Sequence, residues 1–222
     1  MPFTLIINAG GQSQRMGQPK ALLPMPPQQT PLLRHLWQRL QAIAERTILI
    51  ANEPTLAEQA GITAAVAQYA DRYADAGPLG GMATGLALCD DWAILVACDM
   101  PFADPDLFGY LKLLTGEKRT DEKRDDAQEP LDAPKDAPWD AIVPVVNGFA
   151  EPLHALYHRR SLPHIEQRLA RGERRATSFY ADIHVRYVQE AELRRTDPQL
   201  RSFINVNTPE DWQTILQNAA ER

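Results

Sequence analysis

Trp92-Ala93-Ile94-Leu95-Val96-Ala97, running directly into Cys98-Asp99-Met100-Pro101, is the stretch on which the fold turns. Six apolar residues in a row with no polar alternation describe a strand buried on both faces. Phe3–Asn8 and Thr47–Ala51 read the same way, and Ala64–Tyr69 is a weaker strand of the same kind. Helical spacing lies between them. Leu32, Leu33, Leu36, Trp37, Leu40 and Ile43 recur at steps of three and four, with Thr30-Pro31 expected as N-cap and first turn. Leu79–Leu88 is small, Gly-rich and helical, and Asp104-Pro105-Asp106 opens a helix to about Leu114. Strands alternating with helices predict an α/β fold, a parallel sheet covered on both sides.

Downstream, Ala141–Val146 and Pro152–Tyr157 read as strands, with the hairpin dipeptide Asn147-Gly148 between them. Ser161–Ala170 is a helix and Ile183–Val188 a strand. Thr208-Pro209-Glu210-Asp211 starts a last helix with Thr as N-cap and acids in its first turn. Between the halves lies Gly116–Pro138, with five basic and eight acidic residues and a single Leu. Too little apolar surface exists there to offset chain ordering, so a mobile, solvated insertion within one domain of residues 1–222 is expected.

The chain of 222 residues is 44% hydrophobic and 23% charged, the composition of a globular domain with one sizeable core. No apolar run is long enough for a membrane helix, and Met1-Pro2-Phe3-Thr4 lacks a basic leader. Cys89 and Cys98 are the two cysteines and form no metal or disulfide pattern, so a cytoplasmic location is expected. A net charge of −6 argues against bulk nucleic-acid binding while leaving room for a local basic pocket.

Chemistry concentrates in Asn8-Ala9-Gly10-Gly11-Gln12-Ser13-Gln14-Arg15-Met16-Gly17-Gln18-Pro19-Lys20. A Gly-rich turn after a first strand bares backbone N–H groups to a phosphate. The spacing fits neither G-x-G-x-x-G nor the P-loop, since Lys20 lies between Pro19 and Ala21. What remains is two cations, Arg15 and Lys20, beside backbone donors, which suits a triphosphate or is a turn with solvated charges. Asp99, at the carboxyl end of the strongest strand, is either a Mg²⁺ ligand or a cap on the next turn. Gly77, Gly80 and Gly81 allow a flat ring to approach the backbone, or serve a tight turn and close helix packing. Arg171, Arg174 and Arg175 complement a helix C-terminus or clamp a phosphate.

Asn-Ala-Gly-Gly at 8–11, Arg15-Met16-Gly17 with Lys20, Gly77-Pro78-Leu79-Gly80-Gly81-Met82, Cys98-Asp99-Met100-Pro101 and Asn205-Val206-Asn207-Thr208-Pro209-Glu210 occur in that order. Together they resemble the molybdenum cofactor guanylyltransferases, over nearly the whole chain outside Gly116–Pro138. The resemblance implies a three-layer, doubly wound, mostly parallel sheet of the nucleotide-diphospho-sugar transferase type. It implies transfer of GMP from GTP to a molybdopterin-type cofactor, with Mg²⁺ as cofactor and molybdenum-insertion and acceptor enzymes as partners. By resemblance, Asn8, Ala9 and Gly10 contact GTP through the backbone, Lys20 and Arg15 hold its phosphates, and Asp71 faces its guanine or ribose. Asp99 binds GTP and Mg²⁺, Asn52 matches the family's asparagine approximately, and Asn205 and Asn207 lie toward the pterin. Asn8 departs from the usual Leu. Such a transfer needs no general base, so His35, His154, His158, His164 and His184 are expected to be structural or superficial. The rival readings are a cytidylyltransferase on the same acceptor, a sugar-1-phosphate nucleotidyltransferase and a non-catalytic nucleotide-binding adaptor.

Overall fold

The computed structural model describes residues 2–10, 19–73, 75–117 and 138–220, with side chains as far as 216. Chain order gives β1 (Phe3–Asn8), β2 (Pro24–Met25), β3 (Thr30–Pro31), α1 (Leu32–Leu40), β4 (Arg46–Ile50), α2 (Leu56–Gln59), β5 (Val66–Tyr69), α3 (Gly77–Ala87), β6 (Trp92–Ala97) and α4 (Pro105–Leu114). After the charged segment come β7 (Ala141–Val146), β8 (Phe149–Ala150), β9 (His154–His158), α5 (Leu162–Ala170), β10 (Val185–Val188), α6 (Glu190–Leu193) and α7 (Pro209–Ala220). The expected insertion lies almost wholly outside the described residues.

The sheet runs β10-β7-β9-β6-β1-β4-β5, with β8 on β7. The continuous apolar strands have the cause the sequence suggested: successive residues feed two cores. Leu5, Ile7, Ile94 and Val96 pack with α1 and α4, whose Leu33, Leu36, Leu107 and Phe108 are fully buried. Ile6, Ala93 and Leu95 face α3 and α5, against Leu79, Met82 and Ile165. Trp212 and Ile215 of α7 close a third cluster over Leu23, Met25, Leu32 and Val206. Among the described residues no helix is long and apolar enough to cross a membrane.

The sheet is not parallel throughout. β9 runs antiparallel to both β6 and β7, while β1 with β4, β1 with β6, β4 with β5 and β7 with β10 are parallel pairs. The Asn147-Gly148 turn forms, with φ of 51° and 80°. It pairs Val146 with Phe149 of the short β8, and β9 follows only after a further turn. Thr30 does not cap α1. It pairs with Met25, and Pro31 stays extended at ψ 136° before the helix begins. Asp104 does cap α4, accepting the Asp106 N–H at 2.9 Å. Thr208 caps α7 by accepting from Asp211 N at 3.1 Å, and Asp211 in return accepts the Thr208 N–H at 2.9 Å.

Candidate active site

Ligands in open α/β sheets bind beyond the carboxyl ends of the parallel strands. Four chain segments leave the sheet there: Asn8-Ala9-Gly10 after β1, Asn52 after β4, Asp71 after β5 and Cys98-Asp99 after β6. The Cys98 N–H donates to the Asn8 carbonyl at 3.1 Å, which locks the first and last of these side by side.

Lys20 Nζ lies 3.6 Å from Asp99 Oδ2 and donates to Asn207 Oδ1 at 3.1 Å. The Asn205–Asn207 segment is held there because Val206 N donates to the Asp99 carbonyl at 2.9 Å. The Asp99 side chain is only 24% exposed. Burial therefore raises its carboxyl above the ordinary carboxylate range, and the Lys20 ammonium pulls it back. Beside it, burial and the Asp99 charge push the Cys98 thiol up to about 12, so it stays protonated. Asn205 Oδ1 is buried without a hydrogen-bond partner among the described residues.

The glycine loop is more heavily committed than its sequence suggests. Ala9 N–H donates to the Ile50 carbonyl at 2.8 Å, and Gly10 N–H to the Asn8 side-chain oxygen at 3.2 Å. A ligand reaching the Gly10 N–H must displace the Asn8 carboxamide. Gly80 and Gly81 of α3 serve close packing. A Cβ on Gly81 would fall 2.6 Å from Asn8 Nδ2, and one on Gly80 would fall 2.8 Å from Asp71 Oδ2. Asn52 Oδ1 accepts the Asp71 N–H at 2.9 Å. Asn8, Asn52 and Asp71 thus meet around the first turns of α3, while Lys20, Asp99 and Asn207 form a second group. Arg15 lies outside the described residues.

The histidines stand apart from this site. His154 is fully buried, stacked on Phe108 at 4.5 Å between ring centroids, and its Nδ1 is 3.1 Å from Met100 Sδ. Burial pushes it down to about 3, so it is neutral. His35 faces the Pro101 carbonyl, His158 pairs with Asp91, and His184 with Asp140. Two residues beside the expected ones escaped the sequence reading. Arg72 shares a cavity of about 360 Å³ with Tyr73, Leu169, Glu173 and Arg174. Thr84, buried in α3, hydrogen-bonds Asp71 Oδ1. The charge at Arg72 was visible, but its meeting with Arg174 depends on how α3 and α5 pack.

Residues 5–189 match the model of the MobA-like NTP transferase domain. The chain belongs to that family. It is therefore a nucleotidyltransferase with the nucleotide-diphospho-sugar transferase-like fold expected from its sequence. A probable molybdenum cofactor guanylyltransferase of Carboxydothermus hydrogenoformans is 29% identical over 216 residues, 97% of this chain and 95% of that one. Among solved structures, molybdopterin-guanine dinucleotide biosynthesis protein A of Archaeoglobus fulgidus superposes with a TM-score of 0.75 at 20% identity, covering 99% of this chain and 100% of that one. The 2-C-methyl-D-erythritol 4-phosphate cytidylyltransferase of Thermus thermophilus reaches 0.64 at 13% identity, over 99% and 100% of the two chains. The architecture is thus shared by transferases named for different nucleotides.

Proposed function

We propose that this nucleotidyltransferase transfers GMP from GTP to molybdenum-loaded molybdopterin, forming the guanine dinucleotide cofactor and releasing pyrophosphate. The observation that carries the reading is the Lys20–Asp99–Asn207 group at the carboxyl edge of the sheet, in a chain that matches a named guanylyltransferase almost end to end. In the step itself, an oxygen of the acceptor's phosphate bonds to the α-phosphorus of GTP. The bond to the bridging α–β oxygen breaks, and its electron pair leaves on pyrophosphate. The attacking oxygen is already anionic, so no base is required; positioning and charge neutralisation carry the catalysis.

Lys20 supplies a cation to the phosphates, and Asn207 holds its ammonium in place. Arg15 is assigned a second phosphate contact. Asn8, Ala9, Gly10, Asn52 and Asp71 are assigned to the nucleoside, with Gly10 reached by exchange against Asn8. Asp99 suits Mg²⁺: it is one partly desolvated carboxylate, and among the described residues no group of three or more His, Cys, Asp or Glu could hold a metal ion. Mg²⁺ is ordinarily held by one or two carboxylates and completed by substrate phosphates and water. Bound there, it would supply further positive charge against the phosphates. Arg174, with Arg72 across the cavity, is assigned to anionic parts of the acceptor.

Incubation with each nucleoside triphosphate, Mg²⁺ and molybdenum-loaded acceptor, read by pyrophosphate release, tests the whole reading. GTP should be preferred strongly, because sites built on hydrogen bonds to a base edge reject analogues that lack them. Equal turnover of CTP and GTP would put the cytidylyltransferase reading in its place.

A further inference from the structure

We infer that Glu151, on the hairpin between β7 and β9, binds the amino-pyrimidine edge of the acceptor's pterin through both carboxylate oxygens. The inference rests on the proposed molybdopterin acceptor. Asn8, Asn52 and Asp71 follow β1, β4 and β5, on one side of Asp99. On its other side the same edge of the sheet continues through the segment before β9 and the turn after β7, because β9 is antiparallel to both its neighbours. The Ala97 N–H donates to the Leu153 carbonyl at 2.9 Å, so this segment abuts the strand end that presents Asp99. With the nucleoside on the first side, the second is left for the acceptor. The hairpin there is rigid. Glu151 N–H donates to the Pro144 carbonyl at 2.9 Å, the Glu151 carbonyl accepts the His154 N–H at 3.1 Å, and Glu190 Oε1 accepts the Asn147 N–H at 2.7 Å.

The two glutamates of this corner differ. Glu190 is pinned by the Asn147 N–H and Arg194, which hold its carboxyl below the ordinary range. Glu151 is half-buried, and among the described residues its carboxylate accepts no hydrogen bond and forms no ion pair. Burial alone acts on it, upward. It lies close enough to Tyr180 for its charge to raise that phenol, yet Tyr180 has no proton for it. Tyr157 donates its one O–H to the Pro152 carbonyl at 2.9 Å, so in the 2.6 Å contact between the two hydroxyls Tyr180 is the donor. An unpaired, partly desolvated carboxylate costs free energy that donors from outside recover. A pterin brings two N–H donors side by side, from N3 and the 2-amino group, matching two carboxylate oxygens. Phe149, 75% exposed on the same hairpin, adds aromatic surface for a flat ring. Guanine carries the same edge, but the groups assigned to the nucleoside lie across Asp99.

The experiment compares full-length wild type, Glu151→Gln and Glu151→Ala by pyrophosphate release from GTP with Mg²⁺ and molybdenum-loaded acceptor, with thermal melts to verify folding. Two competitors are added in turn: 6-hydroxymethylpterin, and 6-hydroxymethyllumazine, which has a carbonyl in place of the 2-amino group. Glu151→Gln should raise the KM for the acceptor on the order of 100-fold, the scale of two hydrogen bonds to a charged group, and leave the KM for GTP in place. Wild type should be inhibited better by the pterin. Glutamine offers one acceptor and one donor, which match the lumazine edge and clash with the 2-amino group, so Glu151→Gln should prefer the lumazine. Glu151→Ala should not distinguish them. A merely structural role would not reverse a preference. The inference fails if the pterin competes no better than the lumazine against wild type, or if Glu151→Gln keeps the wild-type preference or the wild-type KM for the acceptor. A changed ratio of GTP to ITP turnover in Glu151→Gln would move the residue to the nucleotide base and overturn the pterin contact. A wild type that turns over the acceptor with no nucleotide removes the proposed function and this inference together, whereas the other failures leave the function standing.

Discussion

Two aspartates sit at opposite ends of the same sheet and keep opposite company. Asp140, just before β7 at the amino end, has both carboxylate oxygens engaged. It accepts from Arg160, from His184 N at 2.8 Å and from His184 Nδ1 at 3.0 Å. Asp91 and His158 form a further pair nearby at 2.9 Å. Asp99, just after β6 at the carboxyl end, has among the described residues one cation, Lys20, at 3.6 Å. A buried carboxylate with both oxygens engaged by its own chain holds a structure together. One that is desolvated and under-coordinated keeps its acceptor sites for something that arrives from outside.

The strongest way to break this contrast is to remove charge at the open end. Asp99→Asn and Lys20→Ala should each lower turnover on the order of 100-fold, the scale of one lost transition-state contact of about 3 kcal/mol. Their melting temperatures should stay near wild type. Raised Mg²⁺ should partly restore Asp99→Asn and leave Lys20→Ala unrepaired, as initial rates across a Mg²⁺ titration would reveal. Rescue in the opposite order would exchange the two roles.

At the closed end the effect should be on stability. Asp140→Asn breaks a pair in which Asp140 is 10% and Arg160 37% exposed. Solvent reaches the arginine, so the loss is expected at about 2 kcal/mol, below the range for a fully buried pair. That corresponds to a fall of roughly 4–8 °C in melting temperature for a chain of this size. Turnover by the folded fraction should remain that of wild type.

His154 sharpens the comparison through pH. Its folded value of about 3 lies below the ordinary 6.5, so below pH 6.5 the unfolded chain binds a proton that the folded chain refuses. Its contribution is fully present above about pH 6.5 and is lost as pH falls toward 3, at up to about 1.4 kcal/mol per unit. Denaturant melts of wild type and His154→Phe between pH 7 and 5 should differ in slope, with the variant flatter. Parallel slopes would mean the imidazole is not held neutral.

The smallest effect concerns close packing. Gly81→Ala gains about 1 kcal/mol of helix propensity but drives a Cβ into the Asn8 amide, for an expected net loss of about 1 kcal/mol. In an Asn8→Ala background the same change should stabilise. A double-mutant cycle showing no coupling would separate the two residues.

The longer strands of the main sheet were legible because each is a short apolar run, and Trp92–Ala97 and Ala141–Val146 fall where hydropathy places them. The direction of β9 was not, because an apolar strand reads alike in either sense. Thr30-Pro31 carried a helix-start signal that lost to pairing with Met25, a contact made through the backbone and invisible in residue type. In the candidate site, Lys20 and Asp99 stand out as charges in apolar or Gly-rich surroundings. Thr84 does not, since one hydroxyl among small helical residues acquires meaning only when Asp71 folds over it.

The reversed strand also orders events during synthesis. β9 lies between β6 and β7 in the sheet yet is made after both. Until residues 154–158 leave the ribosome, the outer edge of β6 has no neighbour, and β7 has nowhere to dock. An apolar strand with a bare edge is a template for pairing with another chain. The strand that carries Asp99 toward the site therefore also has an edge open to aggregation on a nascent chain, and that edge is shielded only when a later segment pairs beside it.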